Sequence, residues 1–198
     1  MAVVDLPASP GPASVEWAAV DFGATQKGVL GGAAQRVNRL GNRWAVTVTM
    51  PVLTPRQARE WSAALVVALR DGVRWKIRQV GSPTGAPGAI AVNGALQSGR
   101  ALVCSGANPG YIARAGQFIS LAVGGDKFCH LLAANSSADA SGNITLQLTE
   151  PLRVEPADND PVELGAPQIE GLLASAPAWS LDVDRLARGF SFTIEESR

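Results

Sequence analysis

Arg43-Trp44-Ala45-Val46-Thr47-Val48-Thr49-Met50 alternates over its whole length. Trp44, Val46, Val48 and Met50 fall on one face, and Ala45, Thr47 and Thr49 on the other. That period of two is what a strand shows when one face lies on a core. Immediately downstream, Thr54-Pro55-Arg56-Gln57 supplies an N-cap, a proline at the first helical position and a capping-box glutamine. The spacing predicts a helix over 55–71 whose apolar stripe is Ala58, Trp61, Leu65, Ala68 and Leu69. Gly72 is placed to stop it. Val73-Arg74-Trp75-Lys76-Ile77-Arg78 then returns to period two, with Val73, Trp75 and Ile77 inward. Arg74, Lys76 and Arg78 form an outward basic stripe, read first as a solvated face that discourages edge pairing and second as a contact for a partner.

Working outward, Val15 to Phe22 reads as a further strand, and a Gly-rich break follows at 28–32. Residues 1–14 are rich in Pro, Ala and Ser and read as a flexible or contact-ordered arm. A Gly/Pro boundary at 81–88 can continue neither a helix nor a central strand. Beyond it lie short apolar runs: Ala101 to Cys104, Phe118 to Leu121, Phe128 to Leu132, Ile144 to Leu148 and Val162 to Leu164. Gly-Gly-Asp, Ser-Gly-Asn and Asp-Asn-Asp turns separate them. Closely spaced strands with no helix between them predict a small antiparallel barrel. Trp179 to Val183 and Phe190 to Ile194 return to the aromatic-rich alternation of the first module. The expected fold is therefore mostly β. A β-sandwich over 15–80 and 175–198 carries the helix, a small barrel is inserted at 89–172, and an arm precedes both at 1–14.

Seventeen basic and seventeen acidic side chains give a formal net charge of zero. Nucleic-acid binding normally shows a basic excess, so no nucleic-acid specificity is expected. With 46% hydrophobic and 17% charged residues the chain can bury a core. The apolar run Ala63 to Leu69 is far shorter than the ~20 residues of a membrane span, and no membrane insertion is expected. Met1 to Pro7 lacks the basic and apolar regions of a secretory signal. The two cysteines, Cys104 and Cys129, sit in apolar runs and read as buried free thiols.

The chemistry that catalysis needs is sparse. His130, the only histidine, lies between Cys129 and Leu131 in an apolar strand and reads as structural rather than as a base. There is no Gly-x-Ser-x-Gly elbow, no Cys-x-x-Cys and no phosphate loop. Asp158-Asn159-Asp160 lacks the spaced oxygen ligands of a calcium loop and reads as a solvated turn. Tyr111 and the tryptophans could stack on sugars, but Trp44, Trp61 and Trp75 fall on faces expected to be buried. No catalytic, cofactor-binding or metal-binding residue is assigned, and replacement of His130 or Asp158 is expected to be tolerated.

The segment from Gly94 to Leu173 has an order of its own: Cys104-Ser105-Gly106, then Ala115-Gly116-Gln117-Phe118-Ile119-Ser120-Leu121, then Lys127 to Leu132. The turn and strand Ala138 to Leu146, then Glu150-Pro151-Leu152-Arg153, complete it. Its flanks are the Trp44 strand, the Pro-initiated helix and the Trp75 strand on one side and the Trp179 to Glu195 strand pair on the other. This order resembles the distal tail protein or tail hub class of long, non-contractile-tailed bacteriophages, with Gln117 where related sequences often carry Asp. The resemblance implies a tail-tube-like belt domain with an attached barrel, a virion location in the phage tail and assembly in the host cytoplasm. It also implies a closed homo-oligomeric ring, a hexamer, that joins the tail tube protein to the hub and to fibre or receptor-binding proteins. It carries no catalytic residues and no cofactor. A carbohydrate-binding accessory module is the alternative, and would need exposed aromatics on a concave face.

Overall fold

The computed structural model describes residues 2–28 and 31–197. Val29 and Leu30, inside the Gly-rich break expected at 28–32, lie outside the described residues. The first module contains β1 (Val4–Asp5), β2 (Ser14–Val20), β3 (Ala24–Gln26), β4 (Gln35–Val37), β5 (Arg43–Thr49), α1 (Pro55–Asp71) and β6 (Val73–Lys76). After the Gly/Pro boundary come β7 (Gly88–Val92), β8 (Ala101–Ala107), β9 (Ile112–Ala113), β10 (Phe118–Val123), β11 (Asp126–Leu131), β12 (Ser136–Ser137), β13 (Ile144–Gln147) and β14 (Val162–Glu163). The chain closes with β15 (Gln168–Leu173), β16 (Ala178–Leu181) and β17 (Ala187–Glu196). The protein is mostly β with one helix among the described residues.

The alternation of 43–50 produces the centre of the largest sheet. Its strands run in the order β1-β6-β15-β17-β5-β2, with β16 added to β17. β17 pairs antiparallel with β5, Ile194 opposite Val46 and Phe192 opposite Val48, so four apolar side chains meet on one face. Val46, Val48, Met50, Phe190, Phe192 and Ile194 are all buried there. The C-terminal strand thus rejoins the first module, as the shared aromatic alternation predicts.

α1 packs against this sheet for the reasons its sequence gives. Thr54 Oγ1 accepts from the Gln57 backbone N–H at 3.4 Å, and the Gln57 side chain accepts from the Thr54 N–H at 3.0 Å. Gly72, at φ 88°, donates its N–H to Ala68 O and ends the helix. Ala58, Trp61, Leu65 and Ala68 are buried, and the Trp61 ring lies 5.9 Å from Phe192. Leu69, expected in the stripe, is 42% exposed. The buried set follows the i, i+3, i+4 geometry through Ala68, and a position one residue on rotates about 100° out of it.

Two boundaries differ from expectation. The arm at 1–14 is partly strand: β1 pairs parallel with β6, Val4 opposite Val73. Residues 168–172, assigned to the inserted segment, belong to the large sheet, because β15 pairs with β6 through Ile169 and Trp75 and with β17 through Leu173 and Ile194. Ile169, Gly171 and Leu173 alternate as well as any insert strand does, so periodicity alone could not place them.

Between Gly88 and Glu163 the ladders are short. β7, β8 and β13 form one antiparallel sheet, and β11, β10 and β14 another. Single bridges, Ala91 with Pro161 and Leu132 with Leu148, join them, so the expected barrel is not one continuous closed ladder among the described residues. Ile90, Val92, Leu102, Cys104, Ile119, Leu121, Phe128, Ile144, Leu146 and Val162 fill a second hydrophobic cluster, separate from the one around α1.

Candidate functional site: the junction between the two cores

β10 and β11 are buried on both faces because each serves two cores. Ile119, Leu121 and Phe128 belong to the second cluster. Cys129, one position along, belongs to the first, and Phe118 packs against it. The period of two makes this possible, since adjacent residues point to opposite sides of the strand. β10 and β11 therefore form a shared wall, and the polar and aromatic groups at its edge fasten insert to sheet.

The strongest fastening is ionic. Arg153, from the Glu150-Pro151-Leu152-Arg153 run, pairs with Glu196 at the end of β17, the two side chains 6% and 1% exposed. Arg153 Nη2 donates to Glu196 Oε1 at 2.7 Å and Nη1 to Oε2 at 2.8 Å, a bidentate fork. The same carboxylate accepts the Cys129 N–H at Oε1 and the Trp44 N–H at Oε2, each at 2.8 Å. All four in-plane acceptor positions are thereby used, which is the condition under which a carboxylate tolerates burial. Arg153 Nη2 also donates to Cys129 O at 3.3 Å, and its guanidinium sits 5.5 Å from the Phe128 ring. Its Nε finds no acceptor among the described residues. One side chain at the C-terminal end of β17 thus holds β5, β11 and the 152–153 segment together.

Two further fastenings flank it. Gln79 Oε1 accepts the Phe118 N–H at 2.8 Å, while Nε2 donates to Phe118 O and Leu164 O at 3.0 Å each. Phe118 stacks on Trp17 at 4.2 Å and meets Trp44 edge-on at 5.3 Å. Arg74, the first member of the basic stripe, is not free: it forks onto Glu170 at 2.6 and 2.9 Å and reaches Gly125 O. Lys76 and Arg78 remain on the outward face, Arg78 donating to Ala8 O.

His130 is buried against this junction. Burial first, and the positive charge of Arg153 second, pull its pKa down to about 3, so the imidazole is neutral in ordinary buffers. Cys104 and Cys129 are free and buried in different clusters. Burial pushes the Cys104 thiol up to about 12 and the Cys129 thiol well above its ordinary range. Asp158 accepts the N–H of Gly94, in the β7–β8 connection, at 2.8 Å, and Asp160 accepts the Ala157 N–H at 2.8 Å, so the Asp-Asn-Asp turn spends carboxylate oxygens on backbone groups. No group of three His, Cys, Asp or Glu that could hold a metal gathers among the described residues. Trp61 and Trp75 lie in the core, Trp44 at its edge, and Tyr111 packs against the second cluster with its hydroxyl buried.

Glu196 is the residue sequence reading missed. A strand-end glutamate next to another, Glu195-Glu196, looks solvated, and only the Pro-Leu-Arg run marks the other half of the pair.

The surface carries a distinct apolar feature. In the β16–β17 hairpin, Leu181 is 66% exposed and Val183 fully so, beside a half-exposed Trp179 that stacks on Phe190. Val52, Val66, Val67 and Leu69 are also exposed. A polar trough of about 420 Å³ lies elsewhere, on the insert, lined by Asn135, Ser136, Ser137, Asp139, Asn143 and Gln147 among others.

No protein-family model matches the chain, and no curated protein matches it.

Proposed function

We propose that the chain is a structural subunit of a bacteriophage tail tip, closing with copies of itself into a ring, a hexamer, that joins the tail tube to the hub and receptor-binding apparatus. The observation that carries this reading is the exposed apolar hairpin around Leu181 and Val183. Large apolar side chains held out on a hairpin are what a subunit surface offers to a neighbour. The buried junction supports it, because a ring that bears load needs its two cores to move as one. On this reading 88–164 is a small barrel attached to a sandwich-like belt, and the Ala91–Pro161 and Leu132–Leu148 bridges between its sheets support that reading. Sedimentation velocity tests the assembly: the chain sediments as a closed oligomer, and Leu181→Asp with Val183→Asp shifts it to monomer without lowering its melting temperature. A native chain that stays monomeric at micromolar concentration overturns the reading.

The alternative, a carbohydrate-binding accessory module, draws on the amide- and hydroxyl-lined trough at Asn135 to Gln147. Titration with cell-wall polysaccharide fragments separates the two, since a ring subunit without glycan affinity gives no saturable signal.

A further inference from the structure

Charge is balanced over the whole chain but not along it. Residues 22–59 carry six basic side chains and no acidic one, whereas residues 154–184 carry seven acidic side chains and no basic one. The fold turns part of each stretch into a surface.

The basic surface is the hairpin of β3 and β4. β3 pairs with β4 alone, Ala24 opposite Val37 and Gln26 opposite Gln35, and the described residues within 24–41 are all exposed. A two-stranded hairpin with no core beneath it is marginal in water, and its exposed Val37 and Leu40 gain no cover from the chain itself. Its base is held in place. The Phe22 N–H donates to Asn42 Oδ1 at 2.9 Å, Arg43 sits 4.8 Å over the Phe22 ring, and Asn42 Nδ2 donates to Glu150 Oε2 at 3.1 Å. Arg36 pairs with Asp21, but no ion pair reaches Lys27 or Arg39 among the described residues.

The acidic surface forms where 154–160 runs beside the β7–β8 connection. The Leu96 N–H donates to Pro156 O at 3.1 Å and the Gly94 N–H to Asp158 Oδ1 at 2.8 Å. Leu96 is 74% exposed and stands at φ 58°, a conformation that bulky side chains rarely adopt. Neither hydrophobic cluster includes it, so no packing within the chain offsets that strain. Val154 is exposed as well, and no ion pair reaches Glu155, Asp158 or Asp160 among the described residues.

We propose that the β3–β4 hairpin of one copy docks head-to-tail on this surface of the next, Lys27 and Arg39 against Glu155, Asp158 and Asp160, and Val37 and Leu40 against Leu96 and Val154. The inference rests on the ring reading above and adds to the Leu181 hairpin a contact of its own. A second copy is the occupant because the two surfaces have opposite charge, each carries uncovered apolar side chains, and no ion pair joins them within one chain. Contact between unlike surfaces of identical chains is heterologous and repeats around a closed ring. The charges set register and speed encounter, and the covered apolar groups hold the docked state.

Complementary charge reversal tests the docking. One variant carries Lys27→Glu and Arg39→Glu. The other carries Glu155→Lys, Asp158→Asn and Asp160→Asn, which leaves acceptors for the Gly94 and Ala157 N–H groups; Glu155→Lys with Asp158→Asn replaces it if the triple change fails to fold. Sedimentation velocity over a concentration series is run on each variant and on a 1:1 mixture, with circular dichroism melts to check folding. Each variant alone sets like charges together and weakens assembly on the order of tenfold or more. In the mixture every hairpin meets a surface of opposite sign on the other kind of chain, so a ring of even number re-forms with the two alternating. Recovery of the native oligomer in the mixture, from folded variants that associate weakly alone, is the expected result. Folded variants that assemble as tightly as the native chain, or a mixture no stronger than its parts, overturn the docking and leave the ring standing. A native chain that is monomeric at micromolar concentration overturns both.

Discussion

Arg153 and Glu196 make the sharpest case for what one residue does here. Their charges are buried together: Glu196 is compensated by Arg153 and by the Cys129 and Trp44 backbone N–H groups, and Arg153 by Glu196, Cys129 O and the Phe128 ring. Arg153→Met strands a carboxylate in the junction and should cost about 3–5 kcal/mol in urea denaturation, whereas replacing both partners with apolar residues should recover a large part of that loss. His130 is next to them. It is 2% exposed, so the expectation that its replacement behaves like a surface change does not hold. Its pKa falls to about 3 in the folded chain against ~6.5 unfolded. Below ~6.5 the unfolded chain binds a proton that the folded one refuses, so stability is full above that pH and is lost as pH drops toward 3. Urea midpoints measured at pH 7 and pH 4 should therefore lie closer together in His130→Gln than in the native protein; an unchanged gap would contradict the neutral buried imidazole. Cys104 and Cys129 should both resist alkylation until the chain is denatured, because burial raises both thiols. Pairing of Arg153 with Glu196 was not legible beforehand, since the partners lie 43 positions apart and nothing local signals a long-range contact.

At the scale of elements, the parts whose stability is local were the parts most easily read. α1 announces its start through Thr54, Pro55 and Gln57, and β5 and β6 announce their faces through Val46, Val48, Val73 and Trp75. Trp61→Ala removes the aromatic that joins α1 to Phe192 and should destabilise by about 3–5 kcal/mol. Thr54→Ala loses only the cap, about 1 kcal/mol, and thermal unfolding of the two variants side by side checks that ratio. A Trp61→Ala cost near that of Thr54→Ala would mean the helix is not anchored through its indole. What sequence could not place were elements decided by partners elsewhere. β15 has the same alternation as the insert strands and is assigned only by its pairing with Trp75 and Ile194. β1 is too short to show any period and exists because β6 offers it an edge. Glycine at 106 shows the same non-locality: at φ 81° a Cβ there would lie 2.2 Å from Ala89 O across the ladder, a clash visible only once β7 and β8 are paired.

For the whole molecule, two cores share one wall, and the groups that bridge them are buried while the apolar hairpin is exposed. The proposed ring reading uses both features, the coupled cores as the body and the exposed hairpin as the surface offered to a neighbour. The charge balance agrees with it, because equal numbers of acidic and basic side chains leave little net repulsion between copies. The mostly β class was legible from alternation and turns, and the junction that couples the cores was not. Native mass spectrometry of the purified chain tests the central claim most directly. A closed hexamer of the 20.5 kDa chain, at about 123 kDa, is the predicted species; a spectrum holding only the 20.5 kDa monomer at micromolar concentration would contradict it.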